Sequence, residues 1–256
     1  MSANYVARQT GWAMHGWGDG DRTTNEHFRP LETYAERFEE LLLDVRRLGF
    51  DALDVWGGHL NAIWATPEHL SIARELLDRH DLAVASYAYG LGSSAERIES
   101  ACAVASALGT NVVGGPGEPD PGVLVPILKK HGLRFGIENH PEKTPAELLA
   151  KIGDGGDGTI GATVDTGWWG TQGYDAARTI EELADRLVHV HLKDVLPGAE
   201  HVTCRWGEGC VPIEECVRVL VDLGYQGAIS VEHEPETYDP SEDCRAMREQ
   251  LEAWLR

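Results

Sequence analysis

Short apolar runs that each end in an acidic or imidazole side chain constrain the fold of this chain more than any other feature. The runs F-G-I-E-N, G-A-T-V-D-T-G, V-H-V-H-L-K-D and A-I-S-V-E-H-E are typical of strands buried on both faces of a parallel sheet. A helix-like stretch separates each run from the next, which indicates successive βα units whose strands end at one common edge. We therefore expect four side chains to meet at that edge: Glu138, Asp165, His191 and Glu232.

The alternation of strand and helix patterns can be followed eight times along the chain. We expect the first strand at V-A-R-Q-T-G-W-A-M, residues 6–14, and the first helix at residues 33–49, ending at Gly49. A length of 256 residues suits one closed barrel, and the G-x-G-x-x-G fingerprint of the rival doubly wound sheet is absent. The prediction is a single (β/α)8 TIM barrel with parallel strands over residues 1–256. Residues 13–30, 57–66 and 194–211 form long connections after strands, where barrel enzymes build their active sites.

Composition excludes several classes of protein. The formal net charge is −20 and only 22 residues are Lys or Arg, which argues against a nucleic-acid partner. No stretch approaches the roughly 20 apolar residues of a membrane span, and residues 1–12 lack the apolar core of a secretory signal. The five cysteines include no C-x-x-C pair, which fits a reducing compartment. We expect a cytoplasmic protein with neither a nucleic-acid nor a membrane partner.

The four strand-end side chains are suited to a metal ion. Three carboxylates held about 4 Å apart at an effective dielectric near 20 repel by roughly 4 kcal/mol per pair, so their charge must be neutralised. Protonation would do this, and so would one divalent cation bound by three oxygens and an imidazole nitrogen. Mn²⁺ is the first choice for this carboxylate-rich set, with Co²⁺, Mg²⁺ or Zn²⁺ as alternatives. The ordinary alternative is that each residue hydrogen-bonds a neighbouring loop.

Several short motifs carry a resemblance to a known family. E-N-H at 138–140, V-D-T-G at 164–167, H-V-H-L-K-D at 189–194 and V-E-H-E at 231–234 resemble the xylose isomerase-like TIM-barrel family of sugar isomerases and epimerases. The resemblance implies that His191 rather than His189 binds the metal, and that Glu138 and Glu232 double as general bases, as in ketose 3-epimerases of the family. Trp168 departs from those epimerases, which commonly carry a substrate-binding His at that place.

A second branch of the family resembles two further stretches. H-L-N-A-I-W-A-T at 59–66 and E-N-H-P-E-K at 138–143 are similar to the catalytic chain of bacterial C-glycoside deglycosidases, which cleave 3-oxo-glycosides. This resemblance implies a small second subunit. Both branches imply proton abstraction beside a keto-sugar carbonyl through a metal-stabilised enediolate. Returning the proton gives an epimer or an isomer, whereas expelling a β-substituent gives elimination.

Further polar residues near the strand ends are candidates for supporting roles. We expect His140 to act as an acid or base, the alternative being a structural histidine braced by Glu142 or a loop carbonyl. Lys193 would stabilise an oxyanion, unless it forms a plain ion pair with Asp194 or Glu208. The candidate substrate-binding residues are Trp12, His15, His59, Asn61, Trp168 and Arg205.

The partners follow from this chemistry. A small sugar or glycoside is the expected substrate, and we expect the chain to form a homo-oligomer. A metal-dependent endonuclease of the same fold is disfavoured by the acidic charge, because such an enzyme needs a basic groove. A non-catalytic sugar-binding protein is a further alternative.

Overall fold

The fold is described by a computed structural model that covers residues 1–118, 120–198 and 200–256. Within these ranges the strands are β1 (Ala52–Trp56), β2 (Ala83–Ala88), β3 (Val112–Gly115), β4 (Arg134–Glu138), β5 (Ile160–Asp165), β6 (Leu187–Leu192), β7 (Asp194–Val195), β8 (Thr203–Cys204) and β9 (Ile229–Val231). Seven of them pair in parallel in the order β1-β2-β3-β4-β5-β6-β9, while β7 and β8 form a separate antiparallel pair. The result is a nearly closed barrel, which confirms the predicted α/β fold class.

Two helices precede β1 and the others follow barrel strands or the β7–β8 hairpin, and most of them pack against a neighbour in sequence. They are α1 (Trp17–Phe28), α2 (Leu31–Arg47), α3 (Pro67–Arg79), α4 (Ala95–Leu108), α5 (Pro121–His131), α6 (Pro145–Ile152), α7 (Thr166–Thr171), α8 (Ala176–Glu182), α9 (Ile213–Asp222) and α10 (Ser241–Trp254). In the part of the chain that the structure describes, no helix combines the length and apolar character needed to cross a bilayer.

Local sequence signals explain where several helices begin and end. The Ser94 side chain accepts a hydrogen bond from the backbone N–H of Arg97 at the start of α4, and Gly109 ends that helix in the left-handed conformation. Asp120 caps α5 in the same way, and Gly132 ends it with φ 66°. These capped ends fix the lengths of the connections that lead back into the strands, so the strand ends are held in register.

The predicted first strand at residues 6–14 is wrong. Arg8–Thr10 form a short 3₁₀ turn, and Gly11 and Trp12 both have positive φ. The reason is visible in the sequence, because three consecutive polar residues interrupt the period-2 alternation that a half-buried strand requires. The gap between β9 and β1 is bridged by the residues before this turn. The Ser2 N–H donates to the Val231 carbonyl at 3.1 Å, and the Asp54 N–H donates to the Met1 carbonyl at 2.8 Å.

Two of the three long connections contain regular structure of their own. Residues 13–30 include α1, which sequence periodicity did not predict, and residues 194–211 include the β7–β8 hairpin. Ala199 of the latter connection lies outside the described residues. The hairpin is held by Asp194, whose carboxylate accepts backbone N–H groups of Val195, Gly207, Gly209 and Val211 at 2.9–3.1 Å. This aspartate is therefore fully engaged and does not pair with Lys193.

The interior of the barrel below the strand ends is lined by small and polar side chains. A Cβ placed on Gly136 or Gly114 would lie 2.1 or 2.9 Å from the Thr163 hydroxyl, so both glycines face this threonine across the interior. Asp54, Ser86, His189 and Ser230 are also buried. Packed aliphatic side chains therefore do not fill the space beneath the candidate site.

Candidate active site

His191 lies between two glutamates at the carboxyl ends of the strands. Its Nδ1 atom is 2.9 Å from Glu138 Oε1 and 3.0 Å from Glu232 Oε2. One ring nitrogen carries at most one proton and cannot donate to both oxygens. Glu232 Oε2 is buried without a hydrogen-bond partner in the part of the chain that the structure describes. The three side chains are nearly inaccessible, with exposed fractions of 3% for His191, 12% for Glu138 and 6% for Glu232. Two carboxylates therefore compete for one imidazole nitrogen in a desolvated site.

Charge in this cluster shifts the protonation of its members. Burial lowers the pKa of His191, but the carboxylates of Glu232 and Glu138 raise it more, so the pKa lies well above its ordinary value. Burial raises the pKa of Glu138, but the hydrogen bond from His191 and the charge of its ring lower the pKa by more. The pKa of Glu138 therefore lies below its ordinary value. The neighbouring carboxylates therefore favour the protonated form of the His191 imidazole.

Asp165 reaches the same region through Lys193 rather than through His191. Asp165 Oδ1 accepts the backbone N–H of Gly167 at 2.7 Å, while Oδ2 accepts from Lys193 Nζ at 3.1 Å. Lys193 Nζ also lies 2.9 Å from Glu234 Oε2 and 3.5 Å from Glu232 Oε2. The ammonium group is therefore surrounded by three carboxylates. The predicted alternative, a plain ion pair of Lys193 with Asp194 or Glu208, is wrong.

Two polar side chains extend the strand pairing beyond the ends of β4, β5 and β6. Asn139 donates through Nδ2 to the Asp165 carbonyl and accepts the Asp165 N–H, both at 2.9 Å. Thr166 Oγ1 donates to the Lys193 carbonyl at 2.8 Å and accepts the Lys193 N–H at 2.9 Å. A Cβ on Gly167 would lie 2.8 Å from the Lys193 stem, so this glycine leaves room for the lysine. The E-N-H, D-T-G and L-K-D motifs thus hold the functional side chains in place.

A second polar cluster lies directly below the first. Asp54 Oδ1 is 3.0 Å from His189 Nε2, and Asp54 Oδ2 is 3.7 Å from His191 Nε2. Asp54 and His189 are 0% and 1% exposed. Sequence reasoning missed Asp54, although an aspartate in the middle of the apolar strand A-L-D-V-W is a signal that could have found it.

Glu138, His191 and Glu232 together form the His191 cluster. A cavity of about 1060 Å³ opens above it. Glu138, Asp165, His191, Lys193 and Glu232 all line it. Aromatic side chains form much of the remaining wall: Trp17, Trp56, Tyr89, Trp168 and Tyr238. The cavity thus combines an acidic, imidazole-bearing floor with aromatic walls.

Three further residues predicted from sequence also line this cavity. Trp168 stacks on His201 with ring centroids 3.7 Å apart, and the His140 ring lies 5.1 Å from the same indole. The His140 N–H donates to Glu142 at 2.9 Å, so the predicted brace by Glu142 exists at the backbone while the imidazole faces the cavity. Asn61 lines the cavity too, but its amide is already bonded to Asn25 and to the backbone of Ile63.

Four other predicted substrate-binding residues are not among the residues that line this cavity. Trp12 packs near Tyr5 at 6.4 Å between ring centroids, and the exposed His15 bonds Asp19 through its backbone. His59 is buried between Phe28 and Trp56 and lines a separate pocket of about 220 Å³. Arg205 is exposed and lies 3.8 Å from Asp243. A loop position alone does not fix the direction of a side chain, which explains these four differences.

Other cavity residues were not predicted as site residues. Trp17 belongs to the unpredicted helix α1, and its indole N–H donates to Glu234 at 3.4 Å. His201 follows the long connection, where no periodic pattern marks it. Burial, followed by the charge of Glu232, raises the pKa of Glu234, although Lys193 lowers it.

The donor set fits a divalent cation. His191 Nδ1, one oxygen of Glu138 and one oxygen of Glu232 all lie within 4.8 Å of one another, so they could share one ion. The buried Glu232 oxygen without a hydrogen-bond partner is the observation that a cation would explain. Asp165 pairs with His191 in the strand register and is linked to this set through the Lys193 ammonium, which lies 3.1 Å from Asp165 Oδ2 and 3.5 Å from Glu232 Oε2.

Comparisons with known proteins agree with this architecture. The chain is 28% identical over 137 residues to an uncharacterised protein of Methanocaldococcus jannaschii, and the match covers 50% of this chain and 46% of that protein. The chain thus spans about half the length of the curated relative it matches.

Two solved structures share the fold. One is a D-tagatose 3-epimerase-like protein, with a TM-score of 0.67 and 22% identity over 83% of this chain and 92% of that chain. The other is a xylose isomerase domain protein from Planctomyces limnophilus, with a TM-score of 0.71 and 19% identity over 83% and 91% of the two chains. The family model described as xylose isomerase-like TIM barrel matches residues 42–256. The resemblance carried by the strand-end motifs is confirmed, and the chain belongs to the xylose isomerase-like TIM-barrel family.

Proposed function

We propose that this protein is a divalent-metal-dependent sugar isomerase or epimerase that abstracts a proton beside a keto-sugar carbonyl. The observation that carries the proposal is the position of His191 Nδ1, about 3 Å from both Glu138 and Glu232 on the floor of a large cavity. Glu138, Asp165, His191 and Glu232 would hold the ion, for which Mn²⁺ is the first choice. The fold shared with a D-tagatose 3-epimerase-like protein supports the same reaction class.

A bound cation supplies Lewis-acid stabilisation of the negative charge that develops on the substrate oxygens. Glu138 and Glu232 are the proposed general bases. They reach one point from β4 and β9, which are separated in the sheet by β5 and β6, so they approach a bound sugar from different sides. One carboxylate would remove the proton and the other would return it, which inverts the carbon. Lys193 contacts the carboxylates of Asp165 and Glu234 and would supply positive charge near the developing oxyanion.

The direct test is exchange of a substrate proton with solvent. We expect the Mn²⁺-loaded protein to incorporate deuterium from D₂O into a free ketopentose or ketohexose, measured by NMR across a panel of such sugars. Removing the metal with a chelator should abolish exchange, and adding Mn²⁺ should restore it. The chelator should also lower the free energy of unfolding, because an ion at 100 times its Kd stabilises the folded state by about 2.7 kcal/mol. Exchange that persists in metal-free protein would contradict the proposal.

The charge of the cavity favours a substrate without phosphate. Among the described residues that line it, Lys193 is the only lysine or arginine, and three carboxylates already surround its ammonium group. Seven acidic residues line the same space: Asp21, Glu138, Asp165, Glu200, Glu232, Glu234 and Glu236. A phosphate dianion would meet more negative than positive charge even with one divalent ion bound.

The second candidate function is elimination from a 3-oxo-glycoside, as in the C-glycoside deglycosidase branch. The observation that favours it is the size of the cavity, about 1060 Å³, because pockets of roughly 300–1,000 Å³ already enclose drug-sized ligands. A cavity of this size would have room for a sugar ring at Glu138 and for a second ring at the aromatic wall, which includes Trp17 and Trp56. His140, which lines the cavity beside Trp168, would be the acid that protonates the leaving group.

Release of an aglycone separates the two candidates. If elimination is the reaction, the protein should free the phenol from an aryl 3-oxo-glucoside, detected by chromatography. His140→Gln should then reduce that release by about 10²- to 10⁴-fold, as expected when a general acid is lost. The same variant should retain proton exchange on the sugar ring. No aglycone release by the wild type, together with exchange on a ketose, would decide for the isomerase or epimerase.

We also propose a cellular location and an assembly state for this protein. All five cysteines are free thiols, which supports the proposed cytoplasmic location. Self-association into a homo-oligomer, and a small second subunit if the chain is a deglycosidase, are proposed from the resemblance.

A further inference from the structure

Asp54 is a fully buried carboxylate in the barrel interior, one layer below the candidate metal site. Among the described residues, its ion-pair partners are His189 and His191, and no lysine or arginine lies within reach. A buried carboxylate is costly unless hydrogen bonds and charge compensate for its desolvation. We therefore expect Asp54, in the middle of β1, to interact with groups that offset this cost.

The two oxygens of Asp54 differ in their surroundings. Oδ1 accepts the Ser86 hydroxyl at 2.8 Å and lies 3.0 Å from His189 Nε2. Within residues 1–118, 120–198 and 200–256, Oδ2 has no hydrogen-bond partner, and it faces His191 Nε2, which has none there either, at 3.7 Å. Each buried polar atom without a partner costs about 1–3 kcal/mol. An approach of about half an ångström would join these two atoms in an N–H···O hydrogen bond of ordinary length.

The number of protons on the His191 ring determines what the contact between Nε2 and Asp54 Oδ2 can do. A neutral imidazole has one N–H and one lone pair. Its Nδ1 atom faces Glu138 and Glu232, so binding a cation there requires the lone pair on Nδ1 and the proton on Nε2. A buried N–H needs an acceptor, and Asp54 Oδ2 is the acceptor that Nε2 faces.

We propose that Asp54 is a positioning residue that keeps the proton of His191 on Nε2 and thereby aims the Nδ1 lone pair at the point shared with Glu138 and Glu232. His189 and Ser86 bind the other oxygen and fix the rotation of the carboxylate. The inference rests on the proposed metal-dependent function and assigns a role to a residue outside the proposed ligand set. Carboxylate acceptors behind metal-bound histidines typically contribute 10- to 100-fold in metal affinity.

Asp54, His189 and His191 could instead form a metal site of their own. Ligand atoms of Asp54, His189 and His191 also lie within 4.8 Å of one another and could hold an ion themselves. Two observations disfavour it. Asp54 Oδ1 is already occupied by Ser86 and His189, and neither Asp54 nor His189 is among the residues that line the cavity, so a substrate could not reach an ion there.

The two interpretations predict opposite nitrogens of His191 as the ligand, and NMR of the wild type distinguishes them. We expect ¹⁵N–¹H correlation spectra of the Zn²⁺-loaded full chain to show a protonated Nε2 and a Zn²⁺-bound Nδ1 for His191. A Zn²⁺-bound Nε2 with a protonated Nδ1 would overturn the proposal. This measurement needs no variant, so it stands even if substitution of Asp54 prevents folding.

The variant Asp54→Asn tests the energetic consequence. The amide has nearly the same shape as the carboxylate, but it offers one acceptor and one donor group, so it cannot accept from both histidines. We expect Co²⁺ affinity, measured by chelator competition, to fall about 10- to 100-fold and the visible absorption of bound Co²⁺ to change. Unchanged affinity together with an unchanged spectrum would overturn the proposal.

Thr163→Val is the matched control in the same layer. The Thr163 hydroxyl is buried without a hydrogen-bond partner, so its loss should leave Co²⁺ affinity and absorption unaltered. An equal loss of affinity in both variants would show a general effect of core substitution and would count against a specific role for Asp54. If the wild-type protein binds neither Zn²⁺ nor Co²⁺, the proposed function fails as well. Tight binding by wild type and Asp54→Asn alike rejects the role of Asp54 alone.

Discussion

Glu138→Gln is expected to lower the rate of substrate proton exchange by about 10²- to 10⁴-fold, the range typical for loss of a general base. The glutamine has the same shape, and its amide oxygen can still accept a hydrogen bond from His191 Nδ1, which lies 2.9 Å from the present carboxylate. The folded structure should therefore persist, which circular dichroism and a cooperative unfolding curve would check. The same variant should weaken metal binding, because one anionic donor becomes neutral.

Glu236→Gln provides a control with the same change of charge in the same cavity. Glu236 lines the cavity and is exposed, and its side chain makes no hydrogen bond or ion pair with the His191 cluster. We expect its exchange rate to stay within about threefold of the wild type, since a screened surface charge contributes little. Full activity of Glu138→Gln would exclude the proposed mechanism. Equal losses in both variants would indicate a general effect of cavity charge.

The strand-end pattern could predict most of the site because two facts of chain geometry fix it. Parallel strands end at one edge, and alternate residues share one face, so Glu138, His191 and Glu232 had to converge once their strands were recognised. Asp165 ends the strand beside His191 for the same reason, but its carboxylate is bound by Lys193. Lys193 lies between Asp165 and the glutamates, and no local periodicity encodes that contact.

Tertiary packing determines both the conformation that residues 8–12 adopt in place of a strand and the directions of the displaced loop side chains. Backbone conformations such as the positive φ of Trp12 and the 3₁₀ turn at Arg8–Thr10 depend on tertiary packing against Trp56 and its neighbours. His59 turns away from the cavity because Phe28 of the unpredicted helix α1 packs against its ring. Asp54 differs from these residues, since the apolar run A-L-D-V-W indicates a buried strand but does not show which buried side chains its single acidic residue contacts.

The buried ammonium group of Lys193 leads to the largest expected effect on stability. Its side chain is 4% exposed, and Nζ lies 3.1 Å from Asp165, 2.9 Å from Glu234 and 3.5 Å from Glu232. Burial lowers the pKa of Lys193, but these three carboxylates raise it well above its ordinary value, so the lysine is charged. Removing one partner from a buried ion-pair cluster leaves uncompensated charge and typically costs 3–5 kcal/mol.

Lys193→Met is therefore expected to lower the free energy of unfolding of the metal-free protein by about 3–5 kcal/mol in urea titrations. Added Mn²⁺ should restore part of this loss, because a divalent cation held by Glu138, Asp165, His191 and Glu232 would place positive charge beside the same carboxylates. Lys130→Met is the control, since Lys130 forms an exposed ion pair with Glu99 and its removal should cost less than about 1 kcal/mol. If Lys193→Met is as stable as the control, the carboxylates around Nζ are not ionised together. The electrostatic need for a cation at the end of the barrel would then lose its basis.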